Sequence, residues 1–82
     1  KSLVQDGLYY LTEHAYDEAL ADGFDVYDVE NGLLTGRTRR TWPKEGKIEV
    51  VGQSLDGRAL GAVCRLTKGM KVRVLTVYED NP

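Results

Sequence analysis

The 82-residue chain has one cysteine, Cys64, and one histidine, His14. It can therefore form neither an internal disulfide nor a Cys/His zinc cluster. No apolar run approaches the roughly 20 residues that cross a bilayer, and the visible residues carry no charged-then-apolar leader. No membrane association and a cytoplasmic location are the expectations. Phosphate-binding glycine loops, paired catalytic carboxylates and Ser/His/Asp arrangements are missing too. Asp17 and Glu18, adjacent on a helix, point different ways and form no dyad. Neither a metal nor an organic cofactor is expected.

What is present is a balanced chain with an uneven charge distribution. The formal net charge is −2, but residues 1–36 hold eight acids and one base, whereas residues 37–82 hold ten bases and five acids. Such a split points to a polyanion-binding surface in the second half. Its plainer reading is an acidic helical layer that neutralises a basic sheet.

The periodicity divides the chain at the same place. Residues 1–6 read as the end of a helix closed by Gly7, and Leu8 to Leu11 as an extended lead-in. Thr12 is an N-cap candidate, Glu13 suits the positive helix end, and Leu11 and Tyr16 have the spacing of a hydrophobic staple. Ala15/Ala19 and Tyr16/Leu20 make a narrow apolar stripe, and Gly23 ends the helix. Asp25 then caps a second helix, with Asp28 three residues on and Phe24 and Val29 flanking. Val26, Val29 and Leu33 form its stripe, Gly36 closes it, and Gly32 inside it hints at close packing.

From Arg37 the period changes to two. Arg37–Trp42, Lys47–Ser54, Arg58–Leu66 and Met70–Tyr78 read as strands, the first stopped by Pro43. Three-residue loops at Leu55-Asp56-Gly57 and Thr67-Lys68-Gly69, each with Gly in the left-handed position, place Ile48, Val50, Leu60, Ala62, Cys64, Leu66, Met70, Val72, Val74 and Thr76 on one face. Glu49, Val51, Arg58, Val63, Arg65, Lys71, Arg73, Leu75 and Val77 are then assigned to the other. The expected fold is α+β and a single domain over residues 1–82. A helical hairpin (12–36) covers one face of a four-stranded antiparallel meander (37–79).

Few residues could carry chemistry. His14, in the first turn of a helix, suits a general acid or base, or simply a packed histidine. Arg58, Arg65 and Arg73 are expected to share the uncovered face, where guanidinium groups hold phosphates or stabilise a pentavalent phosphorus centre. Lys71 adds charge there. Arg37 and Arg39 fall on one side of their strand and Arg40 on the other by alternation. Tyr78 is a candidate proton donor or stacking group. Trp42 reads as a lid on the core's rim, and Cys64 as a small buried hydrophobe.

The ordered segments Leu11-Thr12-Glu13-His14-Ala15, Gly23-Phe24-Asp25, Asp28-Val29-Glu30, Asp56-Gly57-Arg58-Ala59-Leu60 and Leu75-Thr76-Val77-Tyr78 resemble an uncharacterised bacterial domain family. That family, a domain of unknown function, is related to the RelE- and BrnT-like ribonuclease toxins. The resemblance runs from about Tyr9 to Glu79. It implies a RelE-like hairpin-on-sheet fold, membership of a toxin–antitoxin pair and metal-independent cleavage of RNA. It also implies an antitoxin protein as partner. By motif position it makes His14, Arg58 and Tyr78 the catalytic candidates, with Arg65, Arg73, Lys71, Arg37 and Arg39 binding RNA phosphates. One departure stands out: relatives carry arginines along the first helix where this chain has Glu18 and Asp22, which would repel RNA beside His14. The alternative expectation is a non-catalytic module that holds a partner protein on the open sheet face or edge strand.

Overall fold

A computed structural model describes residues 2–81. In chain order the elements are α1 (Ser2–Gln5), β1 (Tyr9–Leu11), α2 (Glu13–Ala21), α3 (Val26–Thr35), β2 (Arg37–Trp42), β3 (Lys47–Gln53), β4 (Ala59–Leu66) and β5 (Val72–Glu79). No helix among the described residues is long and apolar enough to cross a membrane.

Both long helices start as their sequences dictate. The Thr12 hydroxyl accepts from Ala15 N at 3.1 Å. Asp25 and Asp28 form a reciprocal capping box, Asp28 N to Asp25 Oδ1 at 2.9 Å and Asp25 N to Asp28 Oδ2 at 3.0 Å. Each pair satisfies amides that the first helical turn leaves free. Only the Ala15/Ala19 part of the α2 stripe is buried, while Tyr16 and Leu20 are exposed. Small side chains let α2 lie close against β5.

The sheet is five-stranded and mixed, in the order β1-β5-β4-β3-β2, which corrects the expected four-stranded antiparallel meander. The lead-in segment is a strand, β1, running parallel to β5 with Tyr9, Tyr10 and Leu11 opposite Val72, Arg73 and Val74. Three residues carry too little alternation to announce a strand, and a parallel partner far along the chain leaves no turn signature. The β3–β4 loop is as expected: Gly57 has φ +85°, Ser54 N donates to Arg58 O at 2.9 Å, and Ile48 faces Cys64.

The β4–β5 connection is longer than expected. Thr67 N donates to Lys71 O at 2.8 Å, Leu66 faces Val72 rather than Met70, and the left-handed residue is Met70 (φ +59°), not Gly69. Met70 is exposed in this loop. A bulge at Leu75 then reverses the alternation of β5, since Cys64 faces Val74 but Val63 faces Thr76. Val77, expected on the outer face, is buried beside Ala62.

The core lies between the two helices and the sheet, built on Phe24, Val29, Leu33, Leu60, Ala62, Val74 and Val77. Glycines set the approach of α3. A Cβ on Gly32 would come within 2.7 Å of Leu60 Cδ2, and one on Gly52 would collide with the Gly32 carbonyl. Among the described residues, no helix lies over the opposite face of the sheet.

Candidate functional site: the open face of the sheet

Register places the side chains of the uncovered face in rows. The first row crosses all five strands. Trp42 lies opposite Lys47, Lys47 opposite Arg65, Arg65 opposite Arg73 and Arg73 opposite Tyr10. Arg65 and Arg73 are both exposed, and among the described residues no carboxylate pairs with either. Like charges directly opposite on antiparallel strands are destabilising. Lys47 Nζ is 3.2 Å from Glu45 and 5.5 Å from the Trp42 ring centroid. The Arg40 guanidinium is 5.6 Å from the same ring.

The neighbouring rows centre on a carboxylate. Between Thr38 and Arg40 the β2–β3 register slips, with Thr38 opposite Val50 and Arg40 opposite Glu49. Arg39 is the extra residue of this bulge, so Arg39 and Arg40 both reach Glu49. That corrects the alternation expected for this strand: Arg37, opposite Val51, Arg39 and Arg40 all serve one face. Arg39 Nε and Nη2 donate to the two oxygens of Glu49 at 3.2 and 3.3 Å, and Nη1 donates to Asp80 at 3.0 Å.

Tyr78 completes the cluster. It lies opposite Gly61, where any Cβ would overlap its ring, so glycine lets the phenol lie flat on the sheet. Its hydroxyl donates to Glu49 Oε2 and accepts from Arg39 Nη2 at 3.0 Å.

The electrostatics follow from these contacts. The Arg39 guanidinium and the Tyr78 hydroxyl hold the buried Glu49 carboxyl below the usual carboxylate range. Burial, reinforced by Glu49, pushes the Tyr78 phenol up to about 12. Arg39 is kept protonated by Glu49 and Asp80. At neutral pH the face thus presents a protonated phenol beside a guanidinium.

A pH dependence follows. Because Glu49 titrates lower in the folded state than its ordinary value of about 4.3, its stabilising contribution is complete above that value. It is lost as pH falls through the lowered folded value. Unfolding by urea is expected to become easier as pH falls below about 4, and Glu49→Gln to flatten that part of the curve. An unchanged acid limb in Glu49→Gln would show that the Arg39–Glu49–Tyr78 cluster does not form.

The remaining candidates sit elsewhere. Arg58 does not lie on the open face, which corrects the expectation that it shares that face with Arg65 and Arg73. It shares the parity of Leu60 and Ala62, so strand alternation turns it toward the helices. Its Nη1 and Nη2 donate to Asp22 O at 3.0 and 3.1 Å, and Nη2 also to Gly23 O at 3.1 Å. Its guanidinium stacks 4.1 Å from the Phe24 ring centroid. Asp56 and Glu79 lie 3.4 and 3.6 Å away. His14 is on α2, exposed, 3.3 Å from Glu18. Lys71 is in the β4–β5 loop and exposed. The structure therefore gathers Arg37, Arg39, Arg65, Arg73 and Tyr78 on one face and leaves His14 and Arg58 in two other places.

The acids that distinguish α2 have a structural task. β1 ends at Leu11, so among the described residues no strand lies beside the rest of the β5 edge. Glu18 Oε1 accepts from Val77 N at 3.1 Å and from the Thr76 hydroxyl, and Asp22 Oδ2 accepts from Glu79 N at 2.8 Å. The helix supplies acceptors where a strand would supply carbonyls.

Sequence reasoning missed Glu49, Arg40, Trp42 and Tyr10 as parts of the site. Glu49 had a signal, an acid alternating with outward-facing Lys47 and Val51. Arg40 had none, because its face depends on a bulge. Among curated proteins and among solved structures, none matches this chain. Residues 11–79 match the family described as Domain of unknown function (DUF4258), and the chain belongs to that family.

Proposed function

We propose that this chain is a RelE/BrnT-like toxin-type domain of a bacterial toxin–antitoxin pair, acting in the cytoplasm on RNA as a metal-independent ribonuclease through its open sheet face. One observation carries the reading. Arg65 and Arg73 face each other across β4 and β5 with no carboxylate between them, an arrangement that costs stability unless an anion occupies it. Phosphates are the anions that planar guanidinium groups match best.

In the neighbouring rows, the Arg39 guanidinium offsets charge developing on a scissile phosphate; the 2′-hydroxyl attacks that phosphorus and gives its proton to water, and the departing 5′-oxygen takes the Tyr78 proton, which solvent restores. Arg37 and Arg40 extend the cationic surface along β2. Glu18 and Asp22 do not oppose this reading, since both are spent on the β5 edge and belong to the helical layer.

Induced expression in a bacterial host is expected to arrest growth, and the purified domain to cleave single-stranded RNA in the presence of a chelator. A domain that expresses freely and leaves RNA intact after rigorous purification would refute the ribonuclease reading. The second reading, a non-catalytic module that holds a partner protein, is favoured by one feature. Ile48, Leu66 and Met70 are exposed near a partly open apolar cavity lined by Ile48, Val50, Cys64 and Val72. Co-purification of a single protein with no RNA cleavage would favour it.

A further inference from the structure

The first row of the open face is aromatic at both ends and cationic in the middle: Trp42, Lys47, Arg65, Arg73, Tyr10. Four interstrand spacings of about 4.8 Å make it about 19 Å long. Tyr10 is 42 % exposed, while its neighbours Tyr9 and Leu11 pack on the core. A shallow depression lined by Thr41, Trp42, Pro43, Lys44 and Glu45 opens beside Trp42. Both rings thus have room next to them, and each is one strand away from a cation.

We infer that a single-stranded RNA lies across the strands along this row, one base stacked on Trp42 and another on Tyr10, with the intervening phosphates on Lys47, Arg65 and Arg73. The inference rests on the RNA-directed reading above and adds the substrate's form, path and length. Sheets that bind single strands combine a basic track with aromatic platforms, because every base has a π-face to stack. A duplex hides those faces, so it meets the cations but not the rings. The row's length suits on the order of four nucleotides, the lower end of what one such site covers. Trp42 already has Arg40 and Lys47 within 5.6 and 5.5 Å of its ring, so a base stacked there brings its phosphate beside two cations.

Trp42 is the chain's one tryptophan, so its emission reports this end of the row alone. Titration with short single-stranded oligoribonucleotides is expected to quench it, and affinity to rise with length up to about four nucleotides and then level off. An RNA duplex is expected to leave the emission unchanged. Trp42→Ala and Tyr10→Ala, both at partly exposed positions, are each expected to weaken single-strand binding roughly 5- to 150-fold. Their circular dichroism should stay that of the parent. Binding that depends on Arg65 but leaves Trp42 emission untouched would overturn the path and spare the RNA-directed reading. If no oligoribonucleotide binds at low salt, both fail.

Discussion

Arg65→Glu is expected to stabilise the domain while weakening its hold on RNA. In the parent, two guanidinium groups face each other on adjacent strands, and reversal of one charge turns a repulsive cross-strand pair into an attractive one. Such pairs are worth roughly 0.2–1 kcal/mol, so the denaturant midpoint should rise slightly. RNA affinity moves the other way and much further. With three phosphate contacts, at Lys47, Arg65 and Arg73, the logarithm of affinity for a single strand should fall against log salt with a slope of about −2. In Arg65→Glu the slope should shrink to less than half of that, and affinity at low salt should drop by about two orders of magnitude. Opposite signs for stability and binding mark a position held for function against the interest of the fold. If the variant binds RNA as the parent does, the row is an ordinary solvated surface.

The helices were legible because their signals are local. Thr12, Asp25 and Asp28 cap as their types and spacing demand, and Gly32 meets Leu60 and Gly52 as an interior helical glycine suggests. The first β-loop was legible too, since a slip there would pair Ile48 with Arg65 and split the apolar set between the two faces. What could not be read was anything that depends on a distant partner. β1 is three residues whose only strand partner lies some sixty positions away. The bulges at Arg39 and Leu75 have no glycine or proline to announce them, yet each turns the alternation downstream of it.

Those two bulges decide the site. Without the one in β2, Arg39 and Arg40 would stand on opposite sides of the sheet. Without the one in β5, Val77 would face outward and Tyr78 would point into the core. The open face was therefore foreseeable in its β4 part, where Arg65 follows from simple alternation. Along β2 and the second half of β5 it was not. Glu18 and Asp22 illustrate the same limit. Read along the chain they are charges beside His14, whereas in space they finish a sheet edge.

Arg58 allows the sharpest separation of folding from function. Its guanidinium covers Phe24, which is 1 % exposed, and donates to the Asp22 and Gly23 carbonyls at the turn between α2 and α3. Phe24→Ala is expected to cost about 3–5 kcal/mol, a large part of the roughly 4–12 kcal/mol available to a domain of this size. Arg58→Ala removes charged hydrogen bonds worth about 1.5–3 kcal/mol and a cation–π contact of about 1 kcal/mol, so about 2–4 kcal/mol should be lost. The two losses should fall short of additivity by about 0.5–3 kcal/mol, because Arg58 has no ring to cover once Phe24 is gone. Urea unfolding of the two single variants and the double gives all these quantities. RNA binding, measured cold and without denaturant where Arg58→Ala is still folded, should equal that of the parent. An Arg58→Ala protein as stable as the parent but unable to bind RNA would return this arginine to the binding surface and move that surface to the helical side of the sheet.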